Sequence, residues 1–188
     1  MNNNKLTLNI IAAACNNMGI GNKGQLPWRL KKEMNFFKEK TSATDNPEKQ
    51  NAVIMGRKTW FSIPEKFRPL PGRLNVVLTT THSDLKGADY VADSFEKAIE
   101  WLTSPPIKEN LDKIFVIGGE TVYKIAMDSD YNHRIYLTRI QTHFDCDAFF
   151  PAFDDSKYML AEEQDVPHGI QEENGVTYKH EVYVNKDS

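Results

Sequence analysis

Gly19-Ile20-Gly21-Asn22-Lys23-Gly24-Gln25-Leu26-Pro27-Trp28 is the stretch on which the fold turns. It follows a run of small apolar residues, Ile10-Ile11-Ala12-Ala13-Ala14-Cys15, and precedes an amphipathic segment that carries Glu33. Glycine has no Cβ, so a backbone rich in it can approach a flat ligand closely. Gly19-x-Gly21-x-x-Gly24 also matches the dinucleotide fingerprint. Three readings stand: a phosphate-binding loop, a flexible turn, and a lid in which Trp28 packs beside the ligand. The phosphate loop requires a helix opening at the glycines and an acid ending the next strand. Here Leu26-Pro27-Trp28 intervenes, and the region of Asp45 reads as loop.

Outward from that stretch, hydrophobic patterning predicts strands at 6–15, 52–55, 75–79, 88–92, 113–117, 134–141, 158–164 and 176–184. In 10–15 and 114–117 both faces are apolar, as in strands covered on both sides. The last strand alternates, with Tyr178, His180, Val182 and Val184 on one face, and is expected to form an antiparallel edge. Helices are predicted at about 27–40 with Pro27 in the first turn, from Gly56 to Ser62, from an N-cap at Ser94, and after Gly118-Gly119. Leu30, Met34 and Phe37 recur at helical spacing in the first, with Glu33 on their flank. Phe95, Ala98, Ile99 and Leu102 form the stripe of the third; Val122, Ile125 and Ala126 face inward in the fourth. Residues 41–51 and 104–110 read as surface loops. This alternation predicts an α/β three-layer sandwich over residues 1–188: one domain, a mostly parallel central sheet with an antiparallel C-terminal edge strand, and about four helices.

Composition narrows the class. The chain has 188 residues, 40% hydrophobic and 26% charged, with a net charge of −3. No basic excess marks a nucleic-acid binder. Cys15 and Cys146 give neither a disulfide framework nor a zinc spacing, and a reducing compartment is expected. The opening Met1-Asn2-Asn3-Asn4-Lys5 is too polar for a signal-peptide core, and no run is apolar enough to span a bilayer. A cytoplasmic monomer is the expectation, with no membrane, metal or obligate nucleic-acid partner.

Several residues carry chemical potential. Gly118-Gly119 joins the apolar run 114–117 to a helix start, and Gly56 joins another to Arg57, Lys58 and Thr59. Free N–H groups at helix starts attract anions. Two such starts suit a dinucleotide, although many plain α/β turns also contain glycine. Glu33 is the sharpest candidate. A half-buried carboxylate needs donors. A heterocycle with an amino group beside a ring N–H would satisfy both of its oxygens, and Thr138 on an inward strand face could help orient it. Alone, an acid on a helix is more often solvated. Arg73, after Pro71-Gly72, could fork a carboxylate or simply be a solvated loop residue. His143-x-Asp145-x-Asp147 has the look of a metal cluster but the composition of an exposed acidic turn.

The motifs then converge. Met18 to Trp28, Val53-Ile54-Met55-Gly56-Arg57-Lys58-Thr59-Trp60-Phe61-Ser62-Ile63-Pro64, Pro69-Leu70-Pro71-Gly72-Arg73 and Ile117-Gly118-Gly119-Glu120-Thr121-Val122-Tyr123 resemble the dihydrofolate reductase family in its animal, free-standing form. Leu137-Thr138-Arg139-Ile140, Phe149-Phe150-Pro151 and the closing strand fit too. The resemblance implies NADPH-dependent reduction of 7,8-dihydrofolate to tetrahydrofolate, hydride passing from nicotinamide C4 to pterin C6, in support of one-carbon and thymidylate metabolism. It implies that Glu33, Thr138 and Trp28 form the catalytic centre. Ile11, Ala13, Met34, Phe37, Ser62, Ile63, Leu70 and Ile117 would line the substrate site, with Arg73 on the glutamate carboxylate. For the cofactor it implies Ala13, Gly19, Ile20, Gly21, Gly24, Arg57, Lys58, Thr59, Thr79, Thr80, Gly118, Gly119, Glu120, Thr121, Val122 and Tyr123. It also implies antifolate binding, a glycine loop that closes over the rings, and a cis peptide at Gly118–Gly119. Two other readings share parts of this pattern: a pyrimidine reductase of riboflavin synthesis, with no reason to keep Glu33, and a non-catalytic nucleotide- or RNA-binding module.

Overall fold

Alternation along the central strands builds a separate core on each face of one sheet. The computed structural model describes residues 5–81 and 84–186. In chain order it contains β1 (Thr7–Ala14), β2 (Gly19–Gly21), α1 (Lys31–Ser42), β3 (Gln50–Gly56), α2 (Arg57–Ser62), β4 (Leu74–Leu78), β5 (Tyr90–Ala92), α3 (Phe95–Leu102), α4 (Ile107–Asn110), β6 (Leu111–Gly118), α5 (Glu120–Asp128), β7 (Asn132–Ile140), β8 (Ala148–Phe149), β9 (Tyr158–Ala161), β10 (Gln171–Glu173) and β11 (Val176–Asn185). The large sheet runs β10-β11-β7-β1-β6-β3-β4-β5, with β9 also paired to β11. From β7 to β5 every pairing is parallel; β11 runs antiparallel to β7, β9 and β10.

On β1, Leu8, Ile10, Ala12 and Ala14 join Ile54, Val76 and Val116 in a core closed by Ala98, Ile99 and Leu102 of α3 and Val122 and Ala126 of α5. Ile11 points the other way. It joins Val53, Met55, Phe115, Tyr136 and Trp60 of α2, with Phe36 and Phe37 of α1 packed against them. Each fully buried Leu or Ile contributes about 1.5–3 kcal/mol. These two faces are the three-layer α/β arrangement expected from the alternation of strands and helices. Among the described residues, no helix is long and apolar enough to cross a membrane.

Details differ from the expectations for physical reasons. α1 begins at Lys31, not Pro27, and runs on to Ser42. Trp28 and Leu30 are buried in a third cluster with Cys15, Ile140 and Tyr178, and Leu30 is extended at φ −124°. That anchoring keeps the chain out of the helix until after residue 30. No side chain at the N-cap then serves the helix; the N–H groups of Lys31 and Lys32 instead donate to the Glu173 carboxylate, both at 2.9 Å. Met34 and Ile125, expected on buried stripes, are 54% and 39% exposed. The buried side of α5 is Val122, Tyr123 and Ala126, so it extends to the flank opposite Ile125. Within 104–110, read as loop, α4 makes one short helical turn. The strand expected at 158–164 ends at Ala161, and β11 lies between β7 and its antiparallel partners β9 and β10, so the edge falls on those shorter strands. β2, β8 and β10, of two or three residues each, were not anticipated.

Candidate active site

The parallel strands end side by side, so their following turns meet. Met55 of β3 is in register with Gly118 of β6. A Cβ on Gly56 would stand 3.2 Å from Val122 Cγ2 and about 4 Å from the Gly118 carbonyl and the Gly119 N–H. A side chain there would press on Val122, so glycine suits the close approach of the starts of α2 and α5. Gly118 has φ +116°, and its peptide to Gly119 is cis, as the resemblance implied. The two anion-competent helix starts thus form one cradle, with Arg57, Lys58 and Thr59 on its α2 side. Of the four residues opening α5, Val122 and Tyr123 turn into the core. Thr121 is exposed, and the Glu120 carboxylate accepts the Phe149 N–H at 3.0 Å.

The glycine loop lies beside this cradle. β2 pairs with β8, Gly19 opposite Phe149 and Gly21 opposite Ala148. The Lys23 N–H donates to Asp147 at 3.0 Å, and Asn22 bridges Gln25. The loop is therefore a pinned hairpin and opens no helix. This removes the phosphate-loop reading of Gly19-x-Gly21-x-x-Gly24 and the reading as a merely flexible turn. Trp28 is buried and packs on Phe144 at 5.6 Å between ring centres. In the acidic segment, Asp147 serves that hairpin, while His143 and Asp145 are 3.7 Å apart and exposed.

Glu33 is 8% exposed, so the solvated alternative does not hold. Thr138 donates to its Oε1 at 3.0 Å. Among the described residues no cation pairs with it. Burial pushes its carboxyl up to about 7, against the downward pull of the Thr138 bond. An acid left in this state is an acceptor in want of donors. Of the residues expected to line the substrate site, Ile11 and Ile117 from the sheet, Phe37 from α1, and Ile63 and Leu70 beyond α2 belong to one apolar cluster. Ala13 lies in register with Thr138 across β1 and β7. Met34 stands exposed one position along α1. Ser62 is also exposed, its hydroxyl donating to the Thr59 carbonyl.

Arg73 is buried as well. Its guanidinium donates to Thr41 Oγ1 at 2.8 Å and to the Pro71 carbonyl at 3.0 Å, and among the described residues no carboxylate pairs with it. Burial pulls its pKa down. A buried guanidinium satisfied only by neutral acceptors is poised for a carboxylate. Thr79, Thr80 and Thr81 line a separate cavity of about 460 Å³ at the carboxyl ends of β4 and β5, with Asp93 and Lys97. Ligands in open parallel sheets favour such strand ends. A cavity of about 710 Å³ lies at the opposite, amino ends of β1, β6 and β7. Its cations are already paired: Lys40 with Glu163 and Asp165, Arg134 with Glu163, and Lys113 with Asp45.

Four functional contacts escaped the sequence reading. Thr41 holds Arg73, Glu173 caps α1, Tyr123 donates to the Ile11 carbonyl at 2.7 Å, and His180 meets Thr138 at 2.9 Å. Only the His180 contact left a signal, its alternation with Tyr178 and Val182 on an inward strand face.

Comparison with known proteins agrees with this geometry. The family model described as Dihydrofolate reductase matches residues 7–185. The chain is 46% identical over 179 residues to dihydrofolate reductase of Drosophila melanogaster, covering 94% of this chain and 97% of the relative. It is 48% identical over 180 residues to that of Gallus gallus, covering 94% and 95%. The solved structure of Schistosoma mansoni dihydrofolate reductase superposes with a TM-score of 0.87 at 41% identity, covering 96% of this chain and 99% of that one. With its acid, its glycine cradle and its sheet order all in place, the chain belongs to the dihydrofolate reductase family, oxidoreductases that reduce dihydrofolate to tetrahydrofolate.

Proposed function

We propose that this chain is a monomeric cytoplasmic enzyme of a single domain that reduces 7,8-dihydrofolate at C6 with NADPH, and that antifolates compete for the same cleft. The observation that carries the reading is Glu33, buried, with one hydroxyl bonded to it and no cation among the described residues. The pterin 2-amino group and N3–H are two adjacent donors, and the two carboxylate oxygens accept them. Each charge-assisted bond contributes about 1.5–3 kcal/mol. Ile11, Phe37, Ile63, Leu70 and Ile117 hold the rings by apolar contact, and Arg73 takes the glutamate α-carboxylate in a fork.

The cradle formed by Gly56, Gly118 and Gly119 fits a dinucleotide, because a Cβ there would fill the approach to the α5 backbone. Arg57, Lys58 and Thr59 would serve its phosphates, Thr79 and Thr80 its adenosine end, and Ala13, Ile20 and the Gly118-Gly119 turn its nicotinamide. When bound, NADPH supplies the hydride. The protein's part is positioning: it holds the acceptor ring at near-contact distance, which accounts for much of the rate in such transfers. The Gly19 to Trp28 hairpin excludes water from that contact. Glu33 grips the edge of the pterin remote from N5, so a water carries the proton to N5 while Glu33 sets orientation. The test is nicotinamide absorbance: it falls with time only when dihydrofolate is added, and Glu33→Gln removes most of that rate. Equal rates for the variant and the wild type would refute the assignment.

A further inference from the structure

The register of β11 on β7 sets His180 directly opposite Thr138. His180 Nδ1 lies 2.9 Å from Thr138 Oγ1, which in turn lies 3.0 Å from Glu33 Oε1. The imidazole packs on the Phe36 ring at 4.1 Å and meets the Tyr178 ring edge-on at 5.6 Å. Burial pulls the imidazole down to about 4, so it is neutral near pH 7 and carries one N–H. The threonine hydroxyl also has a single proton. An ionised Glu33 only accepts, so that proton must go to Glu33. Thr138 Oγ1 is then left as an acceptor toward His180, which demands the proton on Nδ1.

We propose that His180 is a positioning residue for the reaction assigned above: its Nδ1–H donates to Thr138 and thereby commits the Thr138 proton to Glu33. The inference rests on the reading of Glu33 as the pterin-binding acid. Two bonds aligned head to tail polarise one another, which favours the carboxylate over the acid. When Glu33 takes up a proton the direction reverses. Glu33 donates to Thr138, Thr138 donates to Nδ1, and the imidazole carries its proton on Nε2. The other titratable groups near Glu33 do not exchange charge in this range. Tyr123 of α5 and Tyr178 of β11 are held neutral by burial. The Glu173 carboxylate of β10 is kept ionised by the N–H groups of Lys31 and Lys32.

The experiment is NMR on the unliganded, isotope-labelled protein, following the His180 ring nitrogens and the Glu33 carboxyl carbon through neutral pH. Above the Glu33 midpoint, Nδ1 is expected protonated and Nε2 bare. His180→Phe keeps a ring against Phe36 and removes the donor. It is expected to raise the Glu33 midpoint by roughly half a pH unit, the size of about a quarter of one charge-assisted bond. His180→Gln restores an N–H and returns most of the shift. In a Thr138→Val background, His180→Phe has no effect. A bare Nδ1 above the midpoint overturns the proposal, and so does an unchanged midpoint in His180→Phe. Should that variant not fold, the wild-type tautomer alone decides. Turnover plays no part in these readouts, so failure to reduce dihydrofolate would remove the assigned reaction and leave the hydrogen-bond chain to be judged separately.

Discussion

Helix α1 buries one charge near each of its ends, and the two are treated in opposite ways. Near its start, Glu33 has a hydroxyl for company and no cation among the described residues. Two turns on, the Lys40 side chain is 9% exposed and bonded to Glu163 at 2.9 Å and Asp165 at 2.7 Å, and it lies over the Tyr136 ring. Both charges lost water on folding. Only Lys40 recovered partners of opposite charge. A buried charge that is matched is spent within the fold; one left unmatched is a candidate for an incoming ligand. Arg73 belongs with Glu33 by this criterion, and the paired cations of the cavity at the amino ends of the strands belong with Lys40.

The sharpest way to break the comparison is Glu33→Gln. With two charge-assisted bonds weakened, kcat/KM for dihydrofolate is expected to fall about a hundredfold or more, measured by steady-state kinetics near neutral pH. The same variant should gain stability. The folded Glu33 pKa of about 7 lies above the ordinary 4.5, so the wild type loses stability as pH rises from 4.5 through 7. Urea unfolding at several pH values should find the variant ahead by up to about 3 kcal/mol above pH 7, the gap closing toward pH 4.5.

Arg73→Gln ranks next. It removes a charge-assisted fork, so KM for dihydrofolate should rise about 10- to 100-fold while kcat holds. A substrate analogue without the terminal carboxylate should not feel the change; an equal loss with that analogue would return Arg73 to a packing role. The smallest effect on activity belongs to Lys40→Met. It takes one cation from Glu163, which keeps Arg134 and the Tyr136 hydroxyl, and takes the paired cation from Asp165, and should cost about 1–3 kcal/mol in denaturant unfolding, discounted because Asp165 is largely exposed. Its kcat/KM should stay within about twofold, as for a site remote from the ligand. A large loss of turnover would dissolve the distinction between the two ends of α1.

How much of this was legible beforehand follows from the range of each interaction. The central strands and α3 were readable because their signal is local: Ser94 caps α3 through the Lys97 N–H at 3.1 Å, and its stripe is fully buried. Glu33, Arg73 and the two glycine turns drew attention as candidates because their residue types are chemically unusual for their places. The start of α1 was not, since it depends on Trp28 packing against Phe144 and on an acid 141 positions away. For His180 the alternation marked an inward face but not its partner. Its role exists only once the register of β11 on β7 is known. The misplacement of Ile125 has a different origin: Ile125 lies on one flank of the Val122–Ala126 stripe and Tyr123 on the other, and the buried flank of α5 is the one whose Tyr123 hydroxyl donates to the Ile11 carbonyl.

The borrowed cap on α1 has a temporal corollary. Glu33 precedes in sequence the groups that seat it: the carboxylate on the first turn of α1 comes from Glu173, and the imidazole behind Thr138 comes from β11. A nascent chain emerging from the ribosome has the acid proposed to grip the pterin long before it has the β10–β11 hairpin that seats it. A chain shortened before that hairpin would keep Glu33, Arg73 and Thr138 while losing Glu173 and His180, the groups that fix the helix of the first and the hydroxyl of the last.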